Sequence, residues 1–371
     1  MPAASPKVAA DQPSPRLMSL DALRGFDMFW IIGGAGFVEA VAAAMKPEWG
    51  EKVAFLTEHP EWNGYTAYDQ IFPLFMFIVG VAMPFSLLRQ RDTGIPQSKL
   101  YARVIRRGLL LVLFGAIFNG MLMLDFENQR YASVLGRIGL SYMFAAFIAL
   151  NTNIRGQVIW TVGILIGYWA AMRFIPVPGF GAGDWAPGHT LSGYIDQKIM
   201  PGVLYKKVRD PEGLFSTIPA IATVLTGVLA GHWLKLSKKE GELKTITLFA
   251  AGVACVALAR LWNPWFPINK NLWTSSFVLY TTGWSCIALA VSYLLVDVWG
   301  WKKLAFPFIV IGMNAITIYM VREFVDFPAI FALLFERGHH KLHPAIWAGG
   351  EIFLVWLFLY VLYRNKIFLR L

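Results

Sequence analysis

Charged residues are scarce in this sequence. Asp, Glu, Lys and Arg make up 15% of 371 residues, where a soluble domain carries about 25%, so there is little polar side chain to cover a water-facing surface. Cysteine is nearly absent. Cys255 and Cys286 both sit inside apolar runs and read as small buried residues, which say nothing about a disulfide framework. No Gly-x-Ser-x-Gly elbow, Walker loop or dinucleotide fingerprint occurs, which removes the commonest hydrolase and nucleotide-binding signatures. Short alternating strands are missing too, and with them a transmembrane barrel. The stretch Met1–Pro15 has no apolar core, so it reads as a disordered cytoplasmic tail (1–15) rather than a cleavable signal.

What is present is apolar sequence, 57% of the chain, in repeated runs near the length that crosses a bilayer. The pattern predicts an all-α polytopic helical membrane protein with about ten transmembrane helices and no soluble domain. The expected spans are Leu20–Met45, Ala67–Leu88, Tyr101–Leu124, Tyr131–Leu150, Gln157–Ile175, Leu214–Leu236, Leu243–Trp262, Leu272–Val296, Leu304–Val325 and Pro344–Tyr363. Phe327–Phe335 is too short to cross and reads as re-entrant or interfacial. No convincing repeat relates the two halves, which weighs against many secondary transporters.

The net charge of +10 is distributed as membrane orientation requires, not as a nucleic-acid surface. Lys7 and Arg16 precede the first span. Arg89, Arg91, Lys99, Arg103, Arg106 and Arg107 surround the second connection, and Lys235, Lys238, Lys239 and Lys244 fill the sixth. Lys302, Lys303, Arg364, Lys366 and Arg370 follow on the same side. Ten spans place all of these in the cytoplasm, with both termini. The connection Lys46–Thr66, the Gly- and Pro-rich Ile175–Gly213, the Asn263–Asn271 loop and Phe327–His343 then lie on the far side. The longest of these is a candidate lid.

Two groups of residues could carry chemistry. His59, with Trp62, Asn63, Gly64 and Asp69, stands at the mouth of the second span on the far side. A neutral imidazole exchanges protons near pH 7, and Asp69 is placed to orient it; an ordinary loop histidine is the plain alternative. On the other side Asp21 and Arg24 are three apart and share a helical face. They read either as a snorkelling pair or as an anchor for an anionic ligand, together with Arg103, Arg106 and Arg107. Arg137, Asn314, Arg322 and Glu323 lie within apolar segments and imply a polar cavity in the bundle. His339, His340 and His343 cluster without a carboxylate or cysteine at zinc spacing, so no metal is expected.

At these positions the sequence resembles the bacterial relatives of heparan-α-glucosaminide N-acetyltransferase, within the transmembrane acyltransferases. The resemblance rests on Ser19-Leu20-Asp21-Ala22-Leu23-Arg24-Gly25, on His59 with Trp62-Asn63-Gly64-Tyr65-Thr66 and Asp69, and on Val134-Leu135-Gly136-Arg137-Ile138. Asp210-Pro211-Glu212-Gly213 and Pro267-Ile268-Asn269-Lys270-Asn271-Leu272-Trp273 complete it. Where the animal enzyme has an asparagine late in the first span, this chain reads Ile31-Ile32-Gly33-Gly34; Gly136 replaces a common glutamine.

The resemblance implies one transmembrane acyltransferase domain over 16–371 in a bacterial inner membrane. It implies an enzyme that takes acetyl from cytosolic acetyl-CoA to the amine of glucosamine or a related amino sugar on the periplasmic side. His59 and Asp69 would be catalytic, with Asn63, Trp62, Asn269 and Lys270 near the sugar. Arg24, Asp21, Arg103, Arg107 and Arg137 would attend the acetyl-CoA. A homodimer is left open, as are O-acylation of an envelope polysaccharide and a sugar or ion transporter.

Overall fold

The computed structural model describes residues 17–335 and 343–369. The expected tail, Lys7, Arg16, His339, His340 and Arg370 lie outside the described residues. Within them the regular structure is helical, apart from two isolated bridges, Arg130 with Gly202 and Val177 with Gly181.

The first span is two helices, α1 (Met18–Phe29) and α2 (Ala35–Met45), joined by a π-helical stretch in which Gly33 takes a φ of 122°. Only glycine adopts that conformation without strain, so the bend is written into Gly33. A surface helix α3 (Pro47–Thr57) follows, then α4 (Ile71–Ala82) and its short continuation α5 (Leu87–Asp92). The chain goes on through α6 (Gln97–Phe118), α7 (Val134–Asn151), α8 (Ile154–Phe174), α9 (Leu191–Ile199), α10 (Thr217–Leu236), α11 (Gly241–Trp262) and α12 (Ser275–Tyr293). Last come α13 (Lys302–Met313), α14 (Ala315–Phe324), α15 (Phe327–Phe335) and α16 (Pro344–Arg364). His343 caps the last of these, its Nδ1 accepting the Ala345 N–H at 3.2 Å.

Among the described residues seven segments are long and apolar enough to cross a membrane, and an eighth if α13 and α14, bent by 58°, count as one. The expected ten therefore divides into these eight and two more helices, α6 and α8, of 22 and 21 residues. Both are long enough, but Lys99, Arg103, Arg106 and Arg107 crowd the first half of α6, and Arg155 and Arg173 sit at the ends of α8. Sustained apolarity fails in these two for that reason. Helix α15 has nine residues and is too short to cross.

Helix α4 is at the centre. Every residue from Ile71 to Val81 is buried, which suits a helix that is apolar on all faces. Apolar side chains gain nothing by leaving lipid for one another, so membrane helices are held by close backbone approach and packing. Gly80 of α4 meets Gly227 of α10 in this way: a Cβ on Gly80 would stand 2.0 Å from the Val224 carbonyl oxygen. Gly25 of α1 meets α13 similarly, its Cβ position 1.7 Å from the Phe308 carbonyl oxygen. At the start of α1, Asp297 accepts the Met18 and Ser19 N–H groups, both at 3.2 Å, tying that end to the end of α12. Helices α8, α11 and α16 expose apolar side chains such as Ile159, Trp160, Ile246, Phe249, Phe353 and Val361, the faces suited to lipid.

A Gly80→Leu substitution is expected to abolish the folded monomer in detergent size-exclusion chromatography. Gly36→Leu, at a position with open space around its Cβ, leaves the elution profile unchanged.

Candidate active site

His59 is positioned by the turn that starts α4. Thr66 caps a 3-10 turn, Ala67–Gln70, in a capping box with Asp69. Asp69 Oδ2 accepts the Thr66 N–H at 3.0 Å, and the Thr66 hydroxyl donates to the Glu58 carbonyl at 2.7 Å, which anchors the residue before His59. The other carboxylate oxygen, Oδ1, is then left to face His59 Nδ1 at 2.7 Å. A carboxylate only accepts, so Nδ1 carries the proton and Nε2 holds the free lone pair. Asp69 is fully buried while the imidazole is 47% exposed. The Tyr68 ring packs beside the imidazole, centroids 5.2 Å apart.

A third group arrives from a distant part of the chain. Lys270 Nζ lies 3.3 Å from Asp69 Oδ1 and 3.1 and 3.3 Å from the two imidazole nitrogens. Burial holds the Lys270 ammonium below its ordinary range, and Asp69 opposes that shift. The loop that carries Lys270 is laced by Asn269. Its backbone N–H donates to Thr274 Oγ1 (3.2 Å), its Oδ1 accepts from Leu272 N (2.9 Å), and its Nδ2 donates to Asn63 Oδ1 (3.0 Å). Asn63 and Asn269 therefore join the two loops rather than line the cavity. Trp62 ties in the long connection, its indole N–H donating to the Trp185 carbonyl at 2.6 Å, with the Arg209 guanidinium 4.1 Å above its ring.

Three cavities meet in series. An outer, polar one of about 360 Å³ is lined by His59, Trp62, Arg130, Arg209, Glu212 and Lys270 among others. An apolar one of about 280 Å³ beneath it shares His59, Glu212 and Lys270 with the first, and adds Phe72, Phe75, Leu135, Ile138 and Tyr319. A third, also about 280 Å³, shares Phe75, Leu135, Ile138, Ala315 and Ile316 with the second and reaches Arg24 and Arg107. Neighbouring cavities thus share lining residues from the His59 end of the bundle to the end where α1 begins.

Of the basic residues singled out in the sequence, Arg24 and Arg107 line this path. Arg24 pairs with Asp21 at 3.3 Å, and Arg107 lies over the Tyr142 ring at 4.6 Å. Arg103 is exposed on the outside of α6, bonded to Gln90, and lines none of the three cavities. Arg137 is buried behind the outer cavity, donating to the Gly213 carbonyl (3.1 Å) and Ser216, with Trp273 against its guanidinium at 4.8 Å.

Sequence reasoning passed over Glu212 and Arg130. Arg130 is bidentate on Asp210 (2.7 and 2.6 Å) and also holds Glu212. These carboxylates keep the guanidinium protonated well above its ordinary range. The available signal was a basic residue on the side that the positive-inside rule leaves poor in them; its pairing with the Asp-Pro-Glu-Gly motif, 80 residues away, is set by the fold. Behind that motif Asp196 is buried. Its Oδ1 accepts the Phe215 N–H at 3.2 Å, and its Oδ2 stands 1.8 Å from where a Cβ on Gly213 would be.

No protein-family model matches the chain. It is 29% identical over 433 residues to heparan-alpha-glucosaminide N-acetyltransferase of Mus musculus, covering 99% of this chain and 63% of that protein. The Homo sapiens protein of the same name is 29% identical over 422 residues, covering 96% of this chain and 60% of the relative. The chain is a distant homologue of these N-acetyltransferases. It spans about three fifths of their length. Almost the whole of this chain is aligned, the segments that line the cavities included.

Burial pushes the Asp196 carboxyl up from 3.8 to about 6. Between those values the unfolded chain has released its proton and the folded protein holds it, so raising pH from about 4 to about 6 favours unfolding, by at most about 3 kcal/mol. Asp196→Asn should remove this component: the melting-temperature difference between variant and wild type widens in favour of the variant across that window.

Proposed function

We propose that this chain is a transmembrane acetyltransferase that moves an acetyl group from acetyl-CoA to the amine of glucosamine or a related amino sugar. The observation that carries the reading is the series of cavities with shared walls, which brings a path from Arg24 and Arg107 to the imidazole of His59. With the basic connections in the cytoplasm, the Arg24 end faces the cytosolic pool of acetyl-CoA and the His59 end faces the periplasm of a bacterial inner membrane. Both termini are then cytoplasmic.

Arg24 and Arg107 offer positive charge for the phosphates at the entrance. The narrow thioester arm passes Phe75, Leu135 and Ile138, a lining suited to a neutral chain. The acetyl group arrives below His59. The sugar enters the outer cavity, where Trp62 and Tyr205 offer aromatic faces and Glu212 a counter-charge for an ammonium. Once the acceptor has lost a proton to water, its nitrogen lone pair attacks the thioester carbonyl carbon. His59 Nε2 takes a second N–H proton, the C–S bond breaks, and the thiolate leaves with the proton returned by the imidazolium. Asp69 holds the tautomer and stabilises the transient imidazolium through Nδ1. Lys270, within reach of both ring nitrogens, screens the carboxylate and must yield the lone pair of Nε2 to the acceptor.

Purified protein, labelled acetyl-CoA and glucosamine test the reading directly: labelled N-acetylglucosamine forms, and its absence overturns the proposal. His59→Ala lowers kcat by about 10²–10⁴-fold, and full activity in that variant would remove His59 from the mechanism. Arg107→Ala raises the KM for acetyl-CoA more than it lowers kcat, as expected when binding common to ground and transition states is lost. Label retained on His59 after mixing with acetyl-CoA alone would replace direct transfer by an acetyl-histidine relay.

A further inference from the structure

The break between α13 and α14 lies where the middle cavity meets the Arg24 cavity, and Asn314 sits at it. Its side chain is buried, 2% exposed, and lines the Arg24 cavity. The next two residues, Ala315 and Ile316, line both cavities. An asparagine at a helix start ordinarily caps the backbone with its side-chain oxygen; Asn314 makes no such cap, and its Oδ1 accepts the Thr317 hydroxyl at 3.5 Å instead. Its Nδ2, with two N–H donors, has no hydrogen-bond partner among the described residues. An unsatisfied donor in an apolar surrounding costs about 1–3 kcal/mol. Breaking a helix inside a hydrocarbon layer is tolerated only where a cavity or ligand can satisfy the freed groups. The first N–H groups of α14 have no acceptors within their own helix. Neutral donors are therefore concentrated at the break itself.

We infer that Asn314 Nδ2 donates to a carbonyl oxygen of the acyl-thioester arm, and so holds the arm in the bend between the two cavities. This rests on the acetyl-CoA reading above. Asn314 shares its cavity with Phe75, Leu135 and Ile138 and with Arg24 and Arg107; its uncharged amide suits a neutral acceptor, and the two guanidinium groups suit the phosphates. Asn314 is here a binding residue for the co-substrate, apart from the proton transfer at His59. The 58° bend is what turns a membrane helix into a wall with donors on it.

The experiment is binding of acetyl-CoA and of free CoA to the purified full chain, by calorimetry and by ligand-induced thermal shift. Asn314→Ala weakens binding on the order of 5- to 100-fold, while melting of the ligand-free protein changes far less than the ligand-induced shift. Asn314→Asp, which replaces the donors with acceptors, weakens it at least as much. Asn314→Leu fills the same space without a donor, and behaves as alanine does if alanine folds poorly. Equal loss for acetyl-CoA and CoA assigns the bond to an amide carbonyl of the arm; loss for acetyl-CoA alone assigns it to the thioester carbonyl. If wild type binds acetyl-CoA and the folded variants bind it as tightly, the inference is overturned while the proposed function stands. If wild type binds neither compound, the acetyl-CoA reading falls instead.

Discussion

A fully buried carboxylate at the head of the most buried helix is the constraint from which the site follows. Asp69 is out of water and must be compensated on every side. Thr66 supplies an N–H from the capping box, His59 an imidazole N–H, and Lys270 a cation at 3.3 Å. Thr66 and His59 come from the loop before α4 and Lys270 from the loop before α12, so satisfying one charge draws these two loops and the start of α4 together. The imidazole is oriented as a by-product: with Nδ1 committed to Asp69, Nε2 is left for the cavity. Removing any partner leaves charge unpaired in a low dielectric, which costs far more than the pair is worth at a surface.

The path through the bundle has a second origin, in how helices meet. Gly80 against Gly227 and Gly25 against Gly312 bring backbones close, because no side chain intervenes. Close contact at these places fixes the positions of α1, α4, α10 and α13. The space between α4, α6, α7 and the broken α13–α14 pair is where larger side chains hold the helices apart. Phe75, Leu135 and Ile138 then become walls common to two cavities. The chemistry proposed for the chain needs just such a division: a polar mouth, an apolar throat and a basic entrance, each for a different part of two substrates.

Much of this was legible in the residues, for physical reasons that differ from element to element. Helix α4 declares itself by eleven consecutive buried residues, apolar throughout. Helices α6 and α8 declare only their length, since α6 spends its polar budget on four basic residues in its first half. His59 and Asp69 were readable as a pair because both flank one turn. Lys270 was readable as an outer-loop cation, but not as a partner of His59, which lies 211 residues away. Asn63 and Asn269 read as sugar-binding amides; that they bond to each other across two loops is a matter of the fold, since an amide both donates and accepts. Arg137 and Arg103 could not be sorted by type. Burial against Trp273 and exposure beside Gln90 are matters of packing, and an arginine in an apolar run is compatible with either.

By itself the sequence determined the class of the protein and its periodicity, since scarce charge and long apolar runs leave helices in a bilayer as the only way to satisfy the backbone. It also determined the local device that holds His59, because Thr66 and Asp69 are close enough along the chain for a capping box to form in any context. Tertiary structure alone decided that Lys270 and Glu212 stand beside that histidine, and that three cavities share walls from one face to the other. Those outcomes depend on contacts between segments hundreds of residues apart. Such contacts are set by which glycines let which helices touch, and no short-range pattern records that choice.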